Sequence, residues 1–162
     1  MKFSLNPYKT SKKGQKSLSR INSMLLPLML VFILITGCSN KKDVENYTSN
    51  MTTFVSNVEK LSVSINAIDP QSDGASTDLL FYLDYMDQTF SQMADVKPPK
   101  GYESVSDISR SAATSMRNAV QLYHEVYEAE TFDEEKEAQA RASYNYAFEC
   151  LGQMSDILQN KQ

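Results

Sequence analysis

The sequence predicts an all-α fold, an antiparallel up-down-up-down four-helix bundle, on three observations. Apolar residues recur at alternating spacings of three and four along four separate stretches, the period of a helix with one buried face. Short segments rich in Pro, Gly and Asp separate those stretches. Strand-like alternation competes with the helical period nowhere in the chain.

The first 37 residues do not belong to that fold. From Met24 to Thr36 run thirteen uncharged, mostly apolar residues, whereas a helix needs roughly 20 to cross a bilayer core. Lys2, Lys9, Lys12, Lys13, Lys16 and Arg20 precede this run with no acidic residue among them, and small residues follow it. A basic start, a short apolar core and a small-residue end are the layout of an export signal. Pro27 within the core also disfavours a regular helix there.

The run closes on Ile35-Thr36-Gly37-Cys38. An aliphatic residue and two small ones directly before a cysteine resemble the lipobox of bacterial lipoproteins. The resemblance implies a diacylglyceryl group on the Cys38 thiol and cleavage between Gly37 and Cys38. Two acyl chains, at about 0.8 kcal/mol per buried CH₂, hold a protein at a bilayer stably where one holds it marginally. The competing reading is a secretory signal with an incidental cysteine. On the lipoprotein reading, residues 1–37 are the signal, 38–43 a lipidated tether and 44–162 the helical domain. The protein then sits on the extracytoplasmic face of the cell membrane. The chain as a whole resembles small helical lipoproteins of Gram-positive bacteria, while Ser39 after the cysteine equally permits sorting to an outer membrane in a Gram-negative cell.

The first helix is expected from about Val44 to Ile68, with Val44, Tyr47, Met51, Phe54, Val58, Leu61, Ile65 and Ile68 forming an unbroken heptad seam. Its regularity permits closure within the chain or pairing with a second copy, a homo-oligomer through this helix. Asp69-Pro70 and Asp73-Gly74 end it. The second helix starts near Ser76 and carries Leu79, Leu83, Met86, Phe90 and Met93, with Lys97-Pro98-Pro99-Lys100-Gly101 as its stop. The third, from about Ser104 to Glu130, presents Val105, Ile108, Ala112, Met116, Ala119, Val120, Tyr123, Val126 and Tyr127. Thr131-Phe132-Asp133-Glu134 has the spacing of a capping box and is expected to open the fourth, whose seam is Ala140, Tyr144, Ala147, Leu151, Met154 and Leu158. Short connections make antiparallel neighbours the default, crossing at roughly 20°. The alanines of the third and fourth seams are expected to bring those two helices close.

Charge narrows the function. All six basic residues before Cys38 leave with the signal, so ten Lys and Arg remain against twenty Asp and Glu, a net charge of −10 over 125 residues. Nucleic-acid phosphates need a basic patch, so nucleic acid is not an expected partner. Once Cys38 is lipidated, Cys150 has no disulfide partner, and stability must come from packing.

Catalytic signatures are missing. The chain has one histidine and no zinc, thioredoxin-like or attached-haem spacing, and its five glycines do not recur at phosphate-loop intervals. No enzyme activity, catalytic residue or cofactor is expected. The weak metal candidates are His124 and Glu128, one turn apart, with Cys150 or a methionine arriving from another helix. Met51, Met86, Met93, Met116 and Met154 invite a copper or haem reading, but all fall on seams, where methionine is flexible filling. Phe81 and Tyr85 lie opposite the second helix's seam, and an exposed aromatic pair marks a contact surface that Tyr102 is expected to extend. A non-catalytic, lipid-anchored module binding an envelope protein is therefore the leading expectation. A metal, haem or small-ligand carrier near His124 is the alternative.

Overall fold

A computed structural model of the chain describes residues 40–160. These residues form four helices and no strand: α1 (Asn40–Asn66), α2 (Ala75–Ala94), α3 (Glu103–Tyr127) and α4 (Glu134–Asn160). The fold is all-α, and each helix packs on the next in the sequence, α3 and α4 most extensively.

The apolar spacing dictates which face of each helix turns inward. Along α1, Tyr47, Met51, Phe54, Val58 and Ile65 are buried, while Val44, Leu61 and Ile68 towards its ends and beyond are half-buried. The heptad seam is thus occupied within one chain. The outer face of α1 is rich in hydroxyls that satisfy themselves: Thr52, Thr53 and Ser64 each donate to the carbonyl four residues back, at 3.0–3.1 Å. All five predicted seam residues of α2 are buried, and Leu80 joins them. Phe90 sits between helices, its ring 5.3 Å from Phe54 of α1 and 6.1 Å from Phe148 of α4. Edge contacts of this kind add about 0.5–1.5 kcal/mol beyond area burial.

On α3, Val105, Ala112, Met116, Ala119, Val120 and Val126 are buried, with Ser106 and Ser109 among them. Ser109 Oγ donates to the Ser106 carbonyl at 2.8 Å, which makes a small polar residue tolerable in the core. Ala112, Ala119, Ala140 and Ala147 are all fully buried, and their size lets α3 and α4 approach closely. Met51, Met86, Met93, Met116 and Met154 are each at most 2 % exposed.

Four boundaries differ from expectation, the first being the end of α1 at Asn66, two residues short of Ile68. α1 begins four residues early, at Asn40, so residues 40–43 expected in a tether are helical. α3 stops at Tyr127, three residues short of Glu130. α4 begins at Glu134, and the residue that caps it is Asp133, whose carboxylate accepts the Lys136 backbone N–H at 2.9 Å. Thr131, placed at the head of a capping box by its spacing, is an exposed loop residue. Phe132 explains the shift: its ring packs 5.9 Å from Tyr127, which holds the segment ahead of Asp133 against the end of α3.

Between α2 and α3, Tyr102 N–H donates to the Pro99 carbonyl at 3.1 Å, closing a turn with Gly101 at φ +93°. Only glycine adopts that backbone without strain, here at the third position of the turn.

Candidate functional site

Phe81 and Tyr85 are one helical turn apart, and α2 carries them away from the Leu79–Met93 seam. Phe81 is 45 % exposed and Tyr85 is half-buried. The rings meet edge to face at 4.9 Å, and Tyr82 closes on the other side of Phe81 at 5.5 Å. The result is a three-ring cluster on the outside of α2, with Phe81 at its most exposed point. Val63 and Tyr146 are the other large apolar side chains exposed among the described residues.

Tyr102 does not extend this cluster. It is 6 % exposed, and its ring packs against Tyr47 of α1 at 5.6 Å. The Pro-Pro-Lys-Gly turn folds the residue inward to close one end of the core, so its aromatic area serves packing.

His124 occupies the α2–α3 boundary with both ring nitrogens engaged. Nδ1 lies 2.8 Å from Glu128 of its own helix and Nε2 lies 2.9 Å from Asp84 of α2. The hydrogen bond with Glu128 raises its pKa most; partial burial opposes it, and Asp84 adds to the rise. The Glu128 contact was expected from the spacing. Asp84 lies forty residues earlier, and no local pattern reveals it. Arg117 makes a second link across the same boundary, donating to Ser91 Oγ at 2.7 Å beside Asp87 at 3.6 Å.

The residues singled out as weak metal candidates are not gathered. Glu128 and Asp84 approach opposite nitrogens of one ring. Cys150 is buried on α4 fourteen residues beyond Lys136, which pairs with Glu125 at 2.8 Å. At 1.5 Å rise per residue it lies about 21 Å further along that helix. Among the described residues no group of three His, Cys, Asp or Glu side chains is arranged to hold a metal.

A further tyrosine cluster is formed by residues of the predicted seams of α3 and α4. Tyr123 and Tyr127 stack at 6.2 Å, and Tyr144 lies 4.8 Å from Phe148. Burial and then Glu137 push the Tyr127 phenol up to about 12 and raise Tyr123 further. The buried hydroxyls of Tyr144 and Ser62 lie near one another across α4 and α1, but neither makes a well-formed hydrogen bond. These phenols stay protonated at any physiological pH.

Ile35, Thr36, Gly37 and Cys38 lie outside the described residues. Among the described residues no helix is long and apolar enough to cross a membrane. No protein-family model matches this chain, and comparison with curated proteins and with solved structures gave no match.

Proposed function

We propose that the chain is a lipid-anchored extracytoplasmic protein that binds an envelope protein at the membrane surface and performs no catalysis. Cys38 carries the diacylglyceryl group, and residues 1–37 are its removed signal. The Phe81–Tyr82–Tyr85 face of α2 is the contact surface. The observation that carries the binding role is Phe81, 45 % exposed at the apex of a ring cluster. Aromatic side chains held partly desolvated by neighbours are the type that dominates protein interfaces.

The domain is an antiparallel up-down-up-down bundle in this reading. Support comes from the pairs along its boundaries: Asp84 with His124 and Ser91 with Arg117 between α2 and α3, then Asn118 with Ser143 and Glu125 with Lys136 between α3 and α4. In each set the residue number falls on one helix as it rises on the other.

Two measurements test the proposal. Wild type and Cys38→Ala are expressed in a host with lipoprotein-processing enzymes, then fractionated and weighed intact. The expected wild-type product is residues 38–162 plus a diacylglyceryl group in the membrane fraction, and the variant loses both. A soluble, unlipidated wild type would sink the anchor. Crosslinking in membranes is then compared with Phe81→Ala/Tyr85→Ala, which is expected to stay folded and lose its crosslinked partner. Unchanged crosslinks would reject that surface.

A further inference from the structure

The contact between Tyr47 and Tyr102, 5.6 Å between ring centres, brings the α2–α3 turn beside the first turns of α1. Four exposed lysines come together at this end: Lys41 and Lys42 from α1, Lys97 and Lys100 from the turn. The described residues hold only two other lysines, Lys60 and Lys136. Of the acidic groups here, Glu45 lies 3.9 Å from Lys41, and the Glu103 carboxylate folds back to accept the Gly101 N–H at 2.9 and 3.1 Å. Asp43, Asp95 and, near the close of α4, Asp156 are the other exposed carboxylates here, beside an Asp107–Arg110 pair on α3. Four lysines therefore face five carboxylates at this end, close to balance, while the domain as a whole is strongly acidic.

The other end has the opposite character. The Asp84–His124 and Ser91–Arg117 contacts run α3 antiparallel to α2, so that α3 closes towards the end where α2 starts. Around the two turns there, Asp69, Asp73, Asp78, Glu128, Glu130, Asp133, Glu134 and Glu135 are all exposed. Lys136, beside them in the first turn of α4, is paired with Glu125.

We propose that the end formed by the start of α1 and the α2–α3 turn is a docking surface for anionic lipid headgroups. The proposal rests on the lipid-anchor reading, since α1 begins two residues after Cys38. An extended two-residue link spans at most about 7 Å, which keeps this end at the bilayer whatever its charge. Charge then decides how the domain stands. Lysine stems are long enough to reach headgroups ahead of the shorter carboxylates. An anionic surface attracts the lysines of the turn and repels the acidic far end, within a Debye length of the membrane. The domain stands upright, with the Phe81 cluster, early in α2, turned away from the lipid.

The test uses the full lipidated chain in vesicles of phosphatidylcholine alone or mixed with phosphatidylglycerol, labelled by an impermeant amine reagent and read by mass spectrometry. Lys41 and Lys42 report the anchor and should be shielded on both vesicles. Lys97 and Lys100 should label about threefold or more slowly on the anionic vesicles only, and recover in high salt. Lys60 and Lys136 should label equally on both. Equal labelling of Lys97 and Lys100 on the two surfaces overturns the docking surface and leaves the anchor intact. Shielding of Lys136 along with them means the domain lies flat and also overturns it. An intact mass without lipid on Cys38 removes the anchor, and the docking surface with it.

Discussion

His124 holds a carboxylate on each ring nitrogen, and the consequence is a stability that depends on pH. Its pKa in the folded chain is raised above 6.5, the value it has when unfolded. The contribution is therefore complete below about 6.5 and lost as pH rises through the folded value. With the side chain 31 % exposed and its partners more so, the pair of contacts contributes about 0.2–1 kcal/mol. His124→Gln should lower stability by that amount at pH 5.5 and by less at pH 8.5, as measured by urea unfolding. An equal loss at both values would assign His124 a packing role alone. Tyr47 gives a prediction of the opposite sign. Its ring is buried against Tyr102, but its hydroxyl is shut away from solvent without a hydrogen-bond partner, and burial pushes its pKa up to about 12. A buried hydroxyl left unpaired carries its full desolvation cost. Tyr47→Phe should therefore unfold at the same urea concentration as wild type or a higher one, by up to about 1 kcal/mol. A clear loss of stability would mean that the hydroxyl is bonded in solution.

Among the elements, α4 shows most sharply what spacing conveys and what it does not. Thr131 and Glu134 have the separation of a capping box, yet Asp133 accepts the Lys136 N–H. Asp133→Ala should cost about 1 kcal/mol and Thr131→Ala close to nothing, measured side by side by thermal unfolding. The reverse order would restore the box. The seams were legible because each is a local property: Tyr47, Met51, Phe54, Val58 and Ile65 repeat at three and four whatever they pack against. Asp84 and Tyr102 were not legible for the same reason. Their partners, His124 and Tyr47, are forty and fifty-five residues distant in sequence, and only the mutual placement of helices makes them neighbours. The aromatic pair at Phe81 and Tyr85 was readable from the wheel. Tyr82, half-buried between the seam and that pair, completes the ring cluster.

Across the whole domain, packing carries the stability, since Cys150 is a free, buried thiol. The tightest packing is the alanine-lined boundary of α3 and α4. Ala119→Leu or Ala140→Leu should cost about 1–3 kcal/mol by overpacking, whereas Ala142→Leu on the exposed face of α4 should stay within about 0.5 kcal/mol. Equal tolerance at all three would mean that the helices stand further apart. The polarity of the two ends likewise belongs to this scale, since no single helix contains it.

The methionine filling of the core has a chemical consequence. Met51, Met86, Met93, Met116 and Met154 are all shielded from solvent, one or more from every helix. Peroxide converts an exposed thioether to the sulfoxide, and a sulfoxide is too polar to return to an apolar interior. Each thioether can therefore react only while its part of the fold is open, and the first reaction traps that opening. The five sulfurs act as a chemical stopwatch. If the domain opens as one unit, all five should gain oxygen at a single rate in dilute peroxide, and that rate should rise together when denaturant is added. If α1 detaches by itself, Met51 should run ahead of the other four, and the order of oxidation would record which helix leaves first.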